Sequence, residues 1–169
     1  MENFFLVRSR EDIENNIFKK MFSNLTSNYL NHKKDLIKFK SKNFNYYVGL
    51  KGEKLNKILK FNDEIIMIFI GSVYNLKDNS LKNIFSEYLK QGVSFLKKLD
   101  GNFSILILNY KNDKIITIRD RHGSNLLFYT KNKKYFAIFT KIKVLKNISI
   151  FKLKPNLKLK NNYLFKNYR

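Results

Sequence analysis

Between two apolar runs, residues 117–129 (TIRDRHGSNLLFY) gather three charges, a histidine and a glycine. Such a set can do chemistry in one way: Asp120 orients His122, and His122 acts as a general base on a nearby nucleophile. The two residues are only two positions apart in a turn-like stretch, and no hydroxyl or thiol nucleophile is clearly supplied. The other reading is structural. Gly123 lets the backbone reverse, while Asp120 caps neighbouring N–H groups or pairs with Arg119 or Arg121. The sequence favours the turn. His32 sits in a lysine-rich stretch and reads as solvated. With two separated histidines, no cysteine and no carboxylate cluster, neither a metal centre nor a cofactor is expected. Gly49-x-x-Gly52 is too short for a phosphate loop and reads as a turn.

Composition narrows the classes. A chain of 169 residues with 44% hydrophobic content can bury one core of its own. No apolar run reaches the roughly 20 residues that span a bilayer. The start, MENFFLVRSR, holds an acid and too short an apolar stretch for a secretory signal. Without cysteine there is no disulfide, thiolate zinc site or thiol nucleophile, so a cytoplasmic location is the expectation. The net charge of +21 invites a nucleic-acid partner, yet 29 of the 34 basic residues are lysine and five are arginine. Phosphate and base recognition favours arginine's fork, although lysine also binds phosphate as a point charge. Abundant Lys, Asn, Ile and Phe beside one Ala and one Pro fits an A/T-rich coding sequence. The lysines are scattered rather than blocked, which favours compositional bias over a dedicated surface. A polyanionic or acidic protein partner is the other reading.

Periodicity supplies the elements that must hold these groups. Residues 4–7 read as a strand, and Ser9-x-x-Asp12 resembles a capping box. Ile13, Ile17, Phe18, Met21, Phe22 and Leu25 recur at helical spacing. Residues 26–42 are polar and lysine-rich and read as loop. Strands are expected at 44–50 and 64–70. A helix follows Ser80, with Leu81, Ile84, Phe85, Tyr88 and Leu89 on one stripe and Gly92 as its C-terminal cap. Residues 93–99 extend it by a turn or two. Residues 103–108 are apolar almost throughout, so that strand is expected to be covered on both faces. Strands at 114–118, 126–130 and Tyr135–Phe139 follow a hairpin at Lys111-Asn112-Asp113, and two more are expected at 148–153 and 157–165. The aromatics, Tyr46-Tyr47 and Tyr163 to Tyr168 included, read as core rather than base-stacking platforms. The pattern predicts a layered α+β domain.

Residues 95–129, FLKKLDGNFSILILNYKNDKIITIRDRHGSNLLFY, resemble the distal half of a class II glutamine amidotransferase domain, the N-terminal glutaminase half of asparagine synthetases. Phe95, Leu96, Leu99, Gly101, Phe103, Arg119, Asp120, Gly123, Leu127 and Tyr129 fall on that family's motif positions. Residues 138–145 resemble its Phe-Ala-Ser-Glu-Ile-Lys-x-Leu. Gly71-Ser72-Val73-Tyr74-Asn75 resembles its Asn-Gly-Glu-Ile-Tyr-Asn. The likeness covers residues 64–146. It implies an α+β, four-layer αββα sandwich of mainly antiparallel sheets, of the N-terminal nucleophile hydrolase kind. Gly71, Tyr74, Asn75, Gly101, Arg119, Asp120 and Gly123 are then structural motif positions.

The family's chemistry depends on an N-terminal cysteine whose thiol attacks the glutamine amide, with an oxyanion hole beside it. Glu2 stands at about the cysteine's place. Ile70 replaces the oxyanion-hole asparagine, Ser72 the acidic residue beyond the glycine, and Lys141 the glutamate of the Ser-Glu pair. The Gly-Ser-Asp segment has no counterpart between Asn75 and Gln91, and no substrate-gripping arginine lies between Leu50 and Asp63. The resemblance therefore implies a silent glutaminase with no catalytic residues of its own. A Ser-Gly-Gly-x-Asp-Ser pyrophosphate loop is missing too, so residues 1–169 are expected to be a single domain without a synthetase half. Related enzymes that form β-lactams or close lasso peptides keep such a domain without glutaminase activity. The expected function is a scaffold or accessory subunit for a separate ATP-dependent, asparagine synthetase-like, amide-forming enzyme, or a homo-oligomer, with no membrane partner. A basic nucleic-acid- or polyanion-binding protein on the same fold is the alternative. A third reading keeps an enzyme with Ser9 exposed by processing as the nucleophile.

Overall fold

The computed structural model describes residues 3–25, 33–52, 58–61 and 64–151. In chain order these form β1 (Asn3–Ser9), α1 (Asn15–Asn24), β2 (Lys33–Lys40), β3 (Asn45–Gly52), β4 (Ile58–Phe61), β5 (Ile65–Val73), α2 (Leu81–Gln91), α3 (Val93–Leu96), β6 (Gly101–Asn109), β7 (Lys114–Arg119), β8 (Phe128–Lys131) and β9 (Tyr135–Phe139), then a 3-10 turn at Ile142–Leu145. The strands make a five-stranded sheet ordered β2-β3-β1-β9-β8 and a four-stranded sheet ordered β4-β5-β6-β7. Every pairing is antiparallel. The domain is thus α+β with antiparallel sheets. Among the described residues no helix is long and apolar enough to cross a membrane.

Strand side chains alternate between faces, so a strand covered on both sides must be apolar at nearly every position. On β5, Ile66, Ile68 and Ile70 join Phe4, Leu6, Tyr46 and Val48 of the five-stranded sheet in one cluster. The intervening Met67, Phe69 and Val73 pack with Ile84, Phe85, Phe95 and Leu96 of the α2–α3 segment. On the far face of the five-stranded sheet, Phe5, Val7, Tyr47 and Phe139 pack with Phe18, Met21 and Leu25 around α1 and with Val144 and Leu145 of the 3-10 turn. Helix α2 begins where the Ser80 hydroxyl accepts from Asn83 N at 3.2 Å, and it ends at Gly92, whose φ of +68° suits a residue without a side chain.

Several expectations are corrected. The capping box does not form: β1 runs on to Ser9, whose hydroxyl accepts from Glu11 N at 3.1 Å, and α1 starts only at Asn15 with no side-chain cap. Asp12 instead accepts from the Tyr47 hydroxyl at 3.1 Å, and that hydroxyl accepts from Ile13 N at 2.8 Å. Part of the stretch read as loop is strand β2. Ile37 and Phe39 turn into the inter-sheet cluster while Leu36, Lys38 and Lys40 face outward, a period of two masked by the lysines. Gly49 and Gly52 both lie within β3 rather than a turn. A Cβ at Gly49 would stand 2.3 Å from the Phe5 ring, which occupies that space. Residues 148–151 form turns, with Phe151 N donating to Ile148 O at 3.2 Å, instead of a strand. The strand expected at 157–165, His32 and the aromatics from Tyr163 lie outside the described residues.

Ile68 is fully buried between the sheets. Ile68→Ala is expected to lower the unfolding free energy by about 2–5 kcal/mol. Leu36→Ala, at a residue 41% exposed, is expected to change it by no more than about 0.5 kcal/mol. Urea denaturation of the two variants beside the parent checks both.

Candidate functional site

The turn after β7 is built around one carboxylate. Asp120 is 4% exposed. Its side chain accepts from Phe103 N at 3.2 Å, Ser124 N at 3.1 Å and the Ser124 hydroxyl at 3.4 Å. Its own backbone N donates to Phe103 O at 3.0 Å, and Gly123 N donates to Asp120 O at 3.2 Å. The carboxylate therefore fastens the turn to the start of β6. Burial pushes its pKa up, but the surrounding backbone N–H groups outweigh burial and hold it below the usual carboxylate range. Gly123 adopts a φ of +66°, and a Cβ there would lie 3.1 Å from Arg119 Nη1, so the guanidinium rests over the glycine. His122 is exposed. Among the described residues no hydrogen bond joins it to Asp120, whose oxygens face the turn amides.

A second group gathers where the resemblance puts the reacting centre. Phe4 N donates to the Thr140 hydroxyl at 3.1 Å, and Thr140 N donates to Phe4 O at 3.0 Å. The Thr140 hydroxyl also lies 3.3 Å from the Asn3 side-chain oxygen. Thr140 and Lys141 are thereby held beside the first residues of β1. Ile70 is 5% exposed and packs in the same inter-sheet cluster as Phe4. Gly71 has a φ of +104°, and a Cβ there would stand 1.9 Å from Asn102 O on the neighbouring strand. A Cβ at Gly101 would meet Ser72 O at 2.3 Å, so β5 and β6 approach too closely here for side chains at either glycine. Ser72 is exposed, and its register partner is Asn102. Tyr74 is also exposed, its backbone N donating to Asp100 O at 2.8 Å. Asn75 bridges the same segment, donating to Lys98 O at 2.7 Å and accepting from Asp100 N at 2.9 Å. Glu2 lies outside the described residues. Ser9 is fully buried, with its hydroxyl engaged by Glu11 N.

Sequence reasoning missed a polar cluster around Asp113, at the tip of the β6–β7 hairpin. Its carboxylate accepts from the Ser41 hydroxyl at 2.5 Å, Asn43 Nδ2 at 2.8 Å and the Tyr46 hydroxyl at 2.8 Å. Arg8 donates to its carbonyl at 3.5 Å, with the guanidinium 4.5 Å from the centre of the Phe44 ring. Burial raises the Asp113 pKa, and the Ser41, Asn43 and Tyr46 hydrogen bonds with the Arg8 charge bring it below the usual range. Burial first, then Asp113, pushes the Tyr46 hydroxyl well above a free phenol. The cluster ties the hairpin of one sheet to the β2–β3 loop of the other. Nothing local in the sequence signals it, because its partners lie about 70 residues from Asp113.

Residues 72–147, just under half of the chain, match the family model described as a glutamine amidotransferase domain. This part of the chain is similar to a class II glutamine amidotransferase domain, with distant asparagine synthetase homology, in a chain that contains no cysteine. One relative is asparagine synthetase (glutamine-hydrolyzing) 2 of Bacillus subtilis (strain 168), 31% identical over 100 residues. The aligned part covers 52% of this chain and 13% of that relative's length.

A carboxyl whose folded pKa lies below its ordinary value of about 3.9 stabilises the fold above that value, and the contribution is lost as pH falls through the folded pKa. Asp120→Asn is therefore expected to lower the unfolding free energy at pH 7 by about 1–3 kcal/mol. The gap to the parent is expected to close as pH drops below about 4. Urea unfolding at pH 7, 5 and 3 measures it.

Proposed function

We propose that this chain is a catalytically inactive glutamine amidotransferase-like domain that serves as a scaffold or accessory subunit for a separate ATP-dependent, asparagine synthetase-like, amide-forming enzyme. The observation that carries the proposal is Ile70. At the position where the family presents a side-chain donor to the oxyanion, this chain buries an aliphatic group among Phe4, Ile68 and Ile138. Acyl transfer from glutamine needs a nucleophile and preorganised donors for the developing oxyanion. No thiol occurs anywhere in the sequence, and Lys141 brings a cation where the family has a carboxylate.

The three apolar clusters support a four-layer αββα arrangement of the N-terminal nucleophile hydrolase kind, with residues 1–169 as one domain. In that arrangement Asp120, Asn75, Gly71, Gly101 and Gly123 keep the framework. The side chains at 70, 72 and 141 no longer serve a reaction. What such a domain offers is a surface of fixed shape.

Two measurements test the proposal. The purified chain, incubated with glutamine, is expected to release no ammonia above the buffer control; release proportional to protein, in a preparation free of contaminating glutaminase, overturns it. A tagged full chain isolated from its native host is expected to bring down, in stoichiometric amount, a protein carrying an ATP pyrophosphatase motif. Repeated recovery of the tagged chain without such a protein counts against the accessory role.

A further inference from the structure

Strand β8 ends the five-stranded sheet among the described residues. In the β8–β9 ladder Tyr129 lies opposite Ile138, so the two side chains share a face. Ile138 is 4% exposed within the inter-sheet cluster, whereas Tyr129 is 73% exposed. The tyrosine thus lies on the face that Ile138 turns to the inter-sheet cluster, and β7 is the last strand of the other sheet among the described residues. The space left is a cleft of about 450 Å3 between β7 and β8. Its apolar floor is Leu127, Phe136 and Ile138, and Thr117 and Arg119 stand on the β7 side. Leu126, next to the floor in sequence, is 52% exposed.

Charge defines the visitor. No carboxylate lines the cleft. The Arg119 guanidinium, seated over Gly123, takes part in no ion pair among the described residues. Lys114, Arg121, Lys131 and Lys133 are exposed on or beside the two edge strands. The one carboxylate in this turn, Asp120, faces inward to backbone amides. A second copy of a chain with a charge of +21 is repelled. Residues 152–169, with six lysines and arginines and no acid, carry the wrong sign for this rim.

Resting on the accessory-subunit reading, we propose that the cleft between β7 and β8 docks an extended acidic segment of the partner protein, which inserts an apolar side chain beside Tyr129 and lays its carboxylates along Arg119 and the edge lysines. The outer edges of β7 and β8 offer main-chain N–H and C=O groups to such a segment, as sheet edges do when they accept an added strand. The cleft falls within the size range of pockets that enclose a buried side chain or small ligand.

The test uses the full chain and a fluorescein-labelled peptide, Glu-Ile-Glu-Phe-Glu-Ile-Glu, read by fluorescence polarisation. The acidic peptide is expected to bind at least tenfold more tightly than its counterpart with lysine at each glutamate. Arg119→Gln and Tyr129→Glu are each expected to weaken binding at least fivefold, while Lys20→Glu on α1 leaves it within twofold. Tyr129→p-benzoylphenylalanine, irradiated with the peptide present, is expected to cross-link to it. Equal binding of the lysine peptide, indifference to both cleft variants, or cross-links running to residues 152–169 or to a second copy overturns the proposal. A tagged chain that recovers the ATP-using enzyme equally well with Tyr129→Glu separates a wrong docking site from a wrong function.

Discussion

Strands β5 and β6 are buried on both faces at residues 66–70 and 103–108. One face of each lies against the five-stranded sheet and the other against α2 and α3, so alternate residues serve two different clusters. That double burial dictates the continuous apolar runs at residues 65–70 and 105–108. It also governs what a change of residue does at the end of β5. A polar donor at position 70 would need a partner or an opening to solvent, since an unpaired buried polar group costs on the order of a few kcal/mol. Isoleucine needs neither. An aliphatic side chain at the end of β5 leaves no polar group to satisfy at the boundary of the core.

The two well-engaged aspartates work in the same sense at opposite ends of β7. Asp113 precedes the strand and holds the β2–β3 loop through hydroxyl and amide groups. Asp120 follows it and holds the turn through backbone N–H groups. Both are kept ionised by hydrogen bonds that outweigh burial. A general base near neutral pH needs the opposite shift, toward the working pH. Their electrostatics are those of structural anchors, which is why a dyad drawn from the spacing of Asp120 and His122 has no counterpart in the geometry.

What could be read from the sequence followed the strength of local signals. The helix after Ser80, with its hydroxyl cap and Gly92 stop, was legible because both ends carry residues with a specific backbone role. Strand β6 was legible because a short, continuously apolar run between two turn signals suits a strand covered on both faces. Strand β2 was hidden because lysines at its outward positions outweighed Ile37 and Phe39 in a compositional reading, although alternation was there to be found. The capping box at Ser9 failed because β1 paired with β9 as far as Ser9–Tyr135, and sheet pairing overrode a short local motif. At the site, motif order singled out Gly71, Asn75 and Asp120 by their positions along the chain. That Asn75 bridges to residues 98 and 100, and that the two glycines face each other's strands, depends on β5–β6 register, which no local pattern encodes.

Register also explains why the two sheets are unequal in what they present. β1 is central, paired on one side with β3 and on the other with β9, and β9 in turn carries β8. The four-stranded sheet grows from β5 and β6 and ends at β7. β8 and β7 are the last strands of their sheets beside the cleft among the described residues. The inward side chains of such an edge strand must be either small and polar or covered. Position 129 is neither small nor covered: a tyrosine there combines a large apolar ring with a hydroxyl that tolerates water until something displaces it. Leu126 and Tyr129 put exposed apolar surface at this lateral edge, and recognition there needs no chemistry from the residues at 70, 72 or 141.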